Sequence, residues 1–141
     1  ESLCELNEGC YMDKRILIVD DEESVLNTLK RLFRKLPYEI FSALSGQEAL
    51  AILAEQSVDL IISDMRMPEM SGAEFLSLAK DKCPLTERIL LTGYSDMEST
   101  VKAINDGGIF GYLSKPWDAN QLLSLVESAL DQTHKNKLKF F

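Results

Sequence analysis

The chain has almost no material for a soft-metal centre. Of 141 residues, one is histidine, His134, and three are cysteine, Cys4, Cys10 and Cys83. The cysteines are odd in number and show no metal-binding spacing, which excludes a zinc module or a disulfide framework as the organising principle. No basic leader followed by an apolar stretch is visible, so reduced thiols and a cytoplasmic setting are expected. No run approaches the ~18 consecutive apolar residues that a membrane-spanning helix needs. Positive charge is also short: 15 Lys and Arg stand against 23 Asp and Glu, a formal net charge of −8. That balance argues against nucleic-acid binding through a basic face, and neither a nucleic acid nor a membrane is expected as a partner. Internal repeats, low-complexity segments and signs of a second domain are absent.

What is present is a core. The chain is 45% hydrophobic and has the length of one ordinary domain. Arg15 to Asp20 is continuous and β-branched-rich, the pattern of a strand buried on both faces. Residues 22–36 carry Val25, Leu26, Leu29, Leu32, Phe33 and Leu36 on one helical stripe, and Pro37 ends it. Tyr38 to Leu44 reads as a second strand. Ser45-Gly46-Gln47-Glu48 has the form of a capping box, opening a helix to about Gln56. Val58 to Asp64 reads as a third strand, residues 72–82 as a helix with Phe75, Leu76 and Ala79 inward, and Glu87 to Thr92 as a fourth strand. Residues 96–106 repeat apolar positions at helical spacing, and Gly107-Gly108 stops them. Ile109 to Leu113 is a fifth, short strand. A last helix follows Asp118, with Leu122, Leu125, Val126 and Ala129 on one side, and it is expected to continue past His134. Five strands alternating with five helices imply an α/β fold, a parallel sheet with helices on both faces.

Right-handed crossovers point all five strands the same way, so their C-terminal ends share one edge. That edge collects Asp20, Asp21, Asp64, Thr92 and Lys115. Three carboxylates without a histidine or cysteine suit a hard divalent cation, Mg²⁺ or Mn²⁺. With the lysine and threonine they complete a phosphoryl site. The Asp64 carboxylate can attack phosphorus, while the cation and Lys115 neutralise the phosphoryl oxygens. Thr92 can donate a hydrogen bond, and the backbone amides of Met65 and Gly93 can donate others.

Four segments carry a resemblance: Ile18-Val19-Asp20-Asp21-Glu22, Asp64-Met65-Arg66-Met67-Pro68-Glu69-Met70-Ser71-Gly72, Leu91-Thr92-Gly93, and Tyr112-Leu113-Ser114-Lys115-Pro116. In this order, each at a strand end, they resemble the receiver domain of two-component response regulators. The resemblance implies a flavodoxin-like sheet in the order 2-1-3-4-5. It implies that Asp64 is the phosphoacceptor, taking its phosphoryl group from a sensor histidine kinase. Asp21 and Asp20 would hold the metal together with Asp64 and the main-chain carbonyl of Arg66. Thr92 would be the switch hydroxyl, Lys115 the phosphate partner, Tyr112 the switch aromatic, and Lys115-Pro116 a cis peptide. Arg66 and Tyr94, two residues beyond the phosphoacceptor and the switch threonine, would flank the path of hydrolytic water and slow autodephosphorylation.

The same resemblance divides the chain into an extension over residues 1–12, the receiver domain over 13–132, and a C-terminal helix extension or linker over 133–141. It implies an output that lies outside these residues, an HD-type phosphodiesterase or a transcriptional activator. It also implies a switching face made of the helix at 96–106, the fifth strand and the last helix, which could serve a homodimer. Leu123 and Leu130 suit either that face or a wide core stripe. The basic tail at 135–139 reads as a solvated helix end or linker.

Other functions share parts of this pattern. A phosphatase with an aspartate nucleophile needs a second acid two residues after the first, where Arg66 stands. A flavin carrier needs a glycine- and hydroxyl-rich loop after the first strand, where Asp21-Glu22-Glu23 would repel phosphate. A module of the same fold that only binds a partner, without phosphorylation, is the alternative that retains the whole pattern. The chain is expected to be a switch rather than a turnover enzyme.

Overall fold

The computed structural model describes residues 14–93, 102 and 108–140. The expected extension over 1–12, Tyr94 and, apart from Lys102, the helix expected at 96–106 lie outside the described residues.

Alternation of apolar runs and amphipathic stretches produces strands and helices in turn. In chain order they are β1 (Lys14–Val19), α1 (Glu23–Phe33), β2 (Tyr38–Ala43), α2 (Gly46–Glu55), β3 (Leu60–Asp64), α3 (Gly72–Lys82), β4 (Glu87–Thr92), β5 (Gly111–Ser114) and α4 (Ala119–Phe140). The five strands form one parallel sheet in the order β2-β1-β3-β4-β5. Side chains alternate across it, so each central strand feeds two cores. Ile16, Ile18, Leu60, Ile62, Ile89 and Leu91 pack with Leu26, Leu29 and Phe33 of α1 and with Leu122, Val126 and Ala129 of α4. Leu17, Val19, Ile61 and Leu90 pack on the other face with Ala49 of α2 and with Phe75, Leu76 and Ala79 of α3. β3 is buried along its whole length, because it sits mid-sheet under both layers.

The structure moves several expected boundaries. α1 ends at Phe33 rather than Leu36, which is exposed. Pro37 lacks an amide, and the carbonyl of Leu36 instead accepts the Tyr38 amide in a tight turn. β5 starts two residues later than expected and reaches Ser114. The expected capping box at Ser45 is only half made. Ser45 Oγ accepts from the Glu48 amide, but Glu48 Oε1 accepts from Leu44 N at 2.9 Å, not from Ser45. The reciprocal box is at Ser71 and Glu74, where each side chain accepts from the other's amide at 3.1 Å. Leu130 is buried in the core and Leu123 packs half-buried against it, as a wide core stripe requires.

α4 runs unbroken through residue 133 and its end is anchored. Thr133 is buried, and its Oγ1 accepts from the Glu87 amide at 3.0 Å. Asn136 Nδ2 donates to Leu85 O at 3.0 Å and to Glu87 Oε2 at 2.8 Å, and Lys137 Nζ lies 2.8 Å from Asp59 Oδ1. Thr133, Asn136 and Lys137 thus face the packed body, while His134, Lys135, Leu138 and Phe140 are exposed.

Candidate phosphoryl-acceptor site at the carboxyl edge of the sheet

Strand direction and order bring the C-terminal ends of β1 and β3 side by side, with Val19 paired to Ser63. The next residues, Asp20 and Asp64, therefore emerge next to each other. Asp20 is 1% exposed and Asp64 7% exposed, whereas Asp21 faces solvent. One carboxylate oxygen from each of the three lies within 4.8 Å of the others. Asp20 is fixed from two sides: its amide donates to Ala43 O at 3.2 Å, and its Oδ1 accepts from the Glu22 amide at 2.9 Å.

Lys115 reaches this cluster from β5's end. Its Nζ lies 2.9 Å from Asp64 Oδ1 and 3.1 Å from Asp20 Oδ2. Its own amide donates to Thr92 O at 2.7 Å, and the Lys115–Pro116 peptide is cis, as expected from the sequence. Thr92 is fully buried, and its hydroxyl makes a long bond of 3.4 Å to Gly93 O. Tyr112 is 39% exposed and borders a groove of about 540 Å³ with Leu113, Asp118, Gln121, Ser124 and Leu125.

Burial and mutual repulsion set the electrostatics. Desolvation raises the pKa of Asp64, and the charges of Asp20 and Asp21 add to it against the pull of Lys115. Asp20 is raised chiefly by desolvation too, opposed by the Glu22 amide and Lys115. For Lys115, burial lowers the pKa, but the bond to Asp64 and the charges of both acids outweigh it, so the net shift is upward. Three acids against one ammonium leave the site net negative, which favours a further cation.

One expected residue is corrected. The Met65 amide is not turned to the site: it donates to Leu91 O at 2.9 Å, continuing the ladder between β3 and β4 one residue past the strand. A ladder amide is already paired, so it offers no donor to a phosphoryl oxygen without breaking the sheet. Met65 is a buried core side chain, while Arg66 after it is exposed.

Two positions given no role in the sequence also shape the site. Ser63 Oγ donates to Asp64 O at 2.9 Å. Gly72 packs on the same peptide: a Cβ there would sit 2.0 Å from Asp64 O, and the Gly72 amide donates to Met65 O at 2.7 Å. Only glycine allows α3 to begin this close to the Asp64 backbone. The loop between them holds Glu69 at φ 71°, a left-handed conformation uncommon for glutamate. In sequence, a buried serine in a strand and a glycine after Ser71 signal no more than a strand interior and a helix start.

Comparison with known proteins agrees with this geometry. The response regulator receiver domain, as a family, matches residues 16–127. Regulatory protein AtoC of Escherichia coli is 36% identical over 126 residues, 89% of this chain and 27% of that protein. Transcriptional regulatory protein ZraR of the same organism is 39% identical over 119 residues, 84% of this chain and 27% of that protein. This chain thus spans about a quarter of the length of these relatives. The crystal structure of the signal receiver domain of an HD domain-containing protein from Pseudomonas fluorescens superposes with a TM-score of 0.83 at 43% identity, covering 86% of this chain and 98% of that one. A response regulator receiver domain from Clostridium thermocellum gives 0.81 at 34% identity, covering 86% and 97%. The chain belongs to the response regulator receiver domain family.

Proposed function

We propose that Asp64 is the residue on which this receiver domain accepts a phosphoryl group from a histidine kinase, and that Asp20, Asp21, Thr92 and Lys115 serve that transfer. The observation that carries the reading is the bridge of Lys115 Nζ to both Asp64 and Asp20 at the base of the three-carboxylate cluster. In the transfer, an Asp64 oxygen forms a bond to phosphorus as the donor's P–N bond breaks, and the leaving imidazole nitrogen keeps the electron pair. Lys115 stands where it can neutralise a phosphoryl oxygen as charge shifts. Thr92, one residue beyond Leu91, which pairs with Asp64 across the sheet, can turn its hydroxyl to another oxygen.

The three carboxylates fit Mg²⁺, with no soft ligand beside them among the described residues, and the Arg66 carbonyl would add a further oxygen. When bound, the ion supplies positive charge against the phosphoryl oxygens. Asp20 and Asp21 would hold it, and the raised pKa of Asp20 couples binding to loss of its proton.

Tyr112, part-exposed beside the groove on α4, is the proposed switch aromatic. Phosphorylation would draw Thr92 and Lys115 inward and let Tyr112 repack, changing the face presented to an output domain or a second copy. The domain works as a switch rather than a turnover enzyme, in the cytoplasm, where kinase and phosphodonors meet it. Its full-length output is of the kinds its relatives' names carry, an HD-type domain or a transcriptional regulator.

Acetyl phosphate with Mg²⁺, followed by intact mass, tests the reading. It expects a gain of about 80 Da, the mass of one HPO₃ on a carboxylate. The gain should be absent in Asp64→Asn. An adduct that persists in Asp64→Asn would favour another acceptor. Failure of the wild-type protein to gain mass would favour the binding-only module.

A further inference from the structure

β5 carries Lys115 into the site, yet little in its own sequence fixes its register. It is four residues long, lies at the sheet edge, and none of its residues is fully buried. Apolar patterning specifies register weakly in such a strand, and a slip by one residue turns every side chain to the other face. It would also carry Lys115 about 3.3 Å along the strand.

The entry to β5 is held instead by Arg88, the second residue of β4. Arg88 is 4% exposed. Its Nη1 donates to Thr86 O at 2.7 Å and its Nη2 to Gly108 O at 3.1 Å. Its main-chain carbonyl accepts the Phe110 amide at 2.7 Å. The guanidinium and the backbone of one residue therefore grip positions 108 and 110, just before the first ladder pair, Ile89 with Gly111. Gly108 takes φ 59°, so the carbonyl that Arg88 binds is presented from a left-handed turn. Packing adds to this at the same end: Gly111 lies beneath Leu125, and Ile109 and Phe110 pack partly buried against the two cores.

This grip is an expensive way to build a strand end. Among the described residues Arg88 has no carboxylate in ion-pair range, and its buried Nε has no hydrogen-bond partner. Burying a guanidinium carries a large desolvation cost, which its two hydrogen bonds to carbonyls only partly offset. Its planar fork holds two carbonyls in one fixed geometry, which a methionine cannot do and a lysine's ammonium does only from a flexible stem.

The geometry points to Arg88 as a positioning residue for phosphoryl transfer: it fixes the register of β5 and thereby the placement of Lys115 against Asp64. The inference rests on Lys115 being the phosphate partner.

Arg88→Met and Arg88→Lys test it in the intact chain. Each variant trades the fixed donors of two carbonyls against relief of a costly buried guanidinium, so both should stay within a few degrees of the wild-type melting temperature. Both should bind Mg²⁺ as the wild type does, because the three carboxylates stand at the ends of β1 and β3. Phosphorylation by acetyl phosphate should slow roughly tenfold to a hundredfold, the cost of a misplaced catalytic group. Amide resonances of residues 110–115 should broaden while β1 and β3 stay sharp. Wild-type rates in Arg88→Met overturn the inference. So does a slowing that tracks a general loss of melting temperature, or rescue by lysine, which would make charge rather than the fork the cause. A wild-type protein that takes no phosphoryl group defeats the underlying reading instead, so the two failures are distinct.

Discussion

The ammonium of Lys115 lies 2.9 Å from a carboxylate oxygen of Asp64, and both groups come from strand ends. β5 and β3 are not neighbours in the sheet; β4 separates them. The side chain of Lys115 crosses over the end of β4 to make the contact. Its second contact, to Asp20 at 3.1 Å, extends over the end of β3 to β1. One lysine thus ties three strand ends together and compensates two buried acids.

Removing that ammonium should cost both stability and rate. Lys115→Ala leaves Asp20 and Asp64 buried without their cation, and breaking such a pair typically costs about 3–5 kcal/mol. Lys115 keeps some contact with water, so a loss of about 2 kcal/mol is the expected scale here. Urea denaturation of Lys115→Ala and Asp64→Asn/Lys115→Ala measures it. The double variant should recover part of the loss. A loss as large in the double variant as in the single would show that the pairing with Asp64 is not the cause.

Asp64→Asn should have the opposite effect on stability. The pKa of Asp64 is raised in the fold, so the folded state prefers this carboxyl neutral. The linkage penalty is absent below the unfolded pKa, grows as pH rises through the gap, and is complete above the folded pKa. An amide removes one of three converging negative charges. Thermal melts at pH 7 without metal should show a gain of about 1 kcal/mol, roughly 4 °C for a domain of this size. The stabilisation that Mg²⁺ confers on the wild type should shrink in the variant. A lower melting temperature for metal-free Asp64→Asn contradicts the reading.

The end of α4 should resist loss of its anchors unequally. Asn136→Ala removes the donor to Leu85 O and Glu87 Oε2 and should cost about 1–3 kcal/mol. Lys137→Ala removes a part-exposed ion pair with Asp59 and should cost under ~1 kcal/mol. Urea midpoints of the two variants check the order, and equal effects would contradict it.

Cys83 supplies a pH test. Burial raises its thiol pKa above the ordinary 9.0, against weaker pulls from Thr86, Arg88 and Lys82. The folded state therefore holds the proton after the unfolded state has lost it. This contribution to stability is intact below about pH 9 and is lost as pH rises through the folded pKa. In a Cys4→Ser/Cys10→Ser background, Cys83 should react with a disulfide reagent at pH 8 more slowly than in urea, and the folded rate should still climb above pH 9. A folded rate that levels off below pH 9 rules this out.

Much of this was legible in the residues themselves. The apolar run of Leu60, Ile61 and Ile62 ending in Asp64, and the similar run before Asp20, placed two acids at adjacent strand ends before any coordinates. Parallel topology follows from the alternation of such runs with amphipathic helices, whereas the cis peptide was implied only by the family resemblance around Pro116. What stayed hidden depends on distances between segments remote in sequence. The Met65 amide looked available because sequence does not say how far a ladder extends beyond a strand. The capping boxes at Ser45 and Ser71 share one pattern, and only the position of Leu44 decides which is complete. The anchoring of Asn136 and Lys137 needs Glu87 and Asp59 nearby, which no local pattern announces. Arg88 looked like one charged residue in an apolar strand, and its partners at Thr86 and Gly108 appear only once β5 has folded alongside.

The central claim is that Asp64 carries the phosphoryl group. Borohydride reduction cleaves an aspartyl phosphate and leaves homoserine in place of the aspartate. After treatment with acetyl phosphate and Mg²⁺, peptide mapping of the reduced protein should find homoserine at position 64 and unmodified aspartate at 20 and 21. Homoserine at Asp20 or Asp21, or an unmodified Asp64 in protein that has gained the phosphoryl mass, would contradict the assignment.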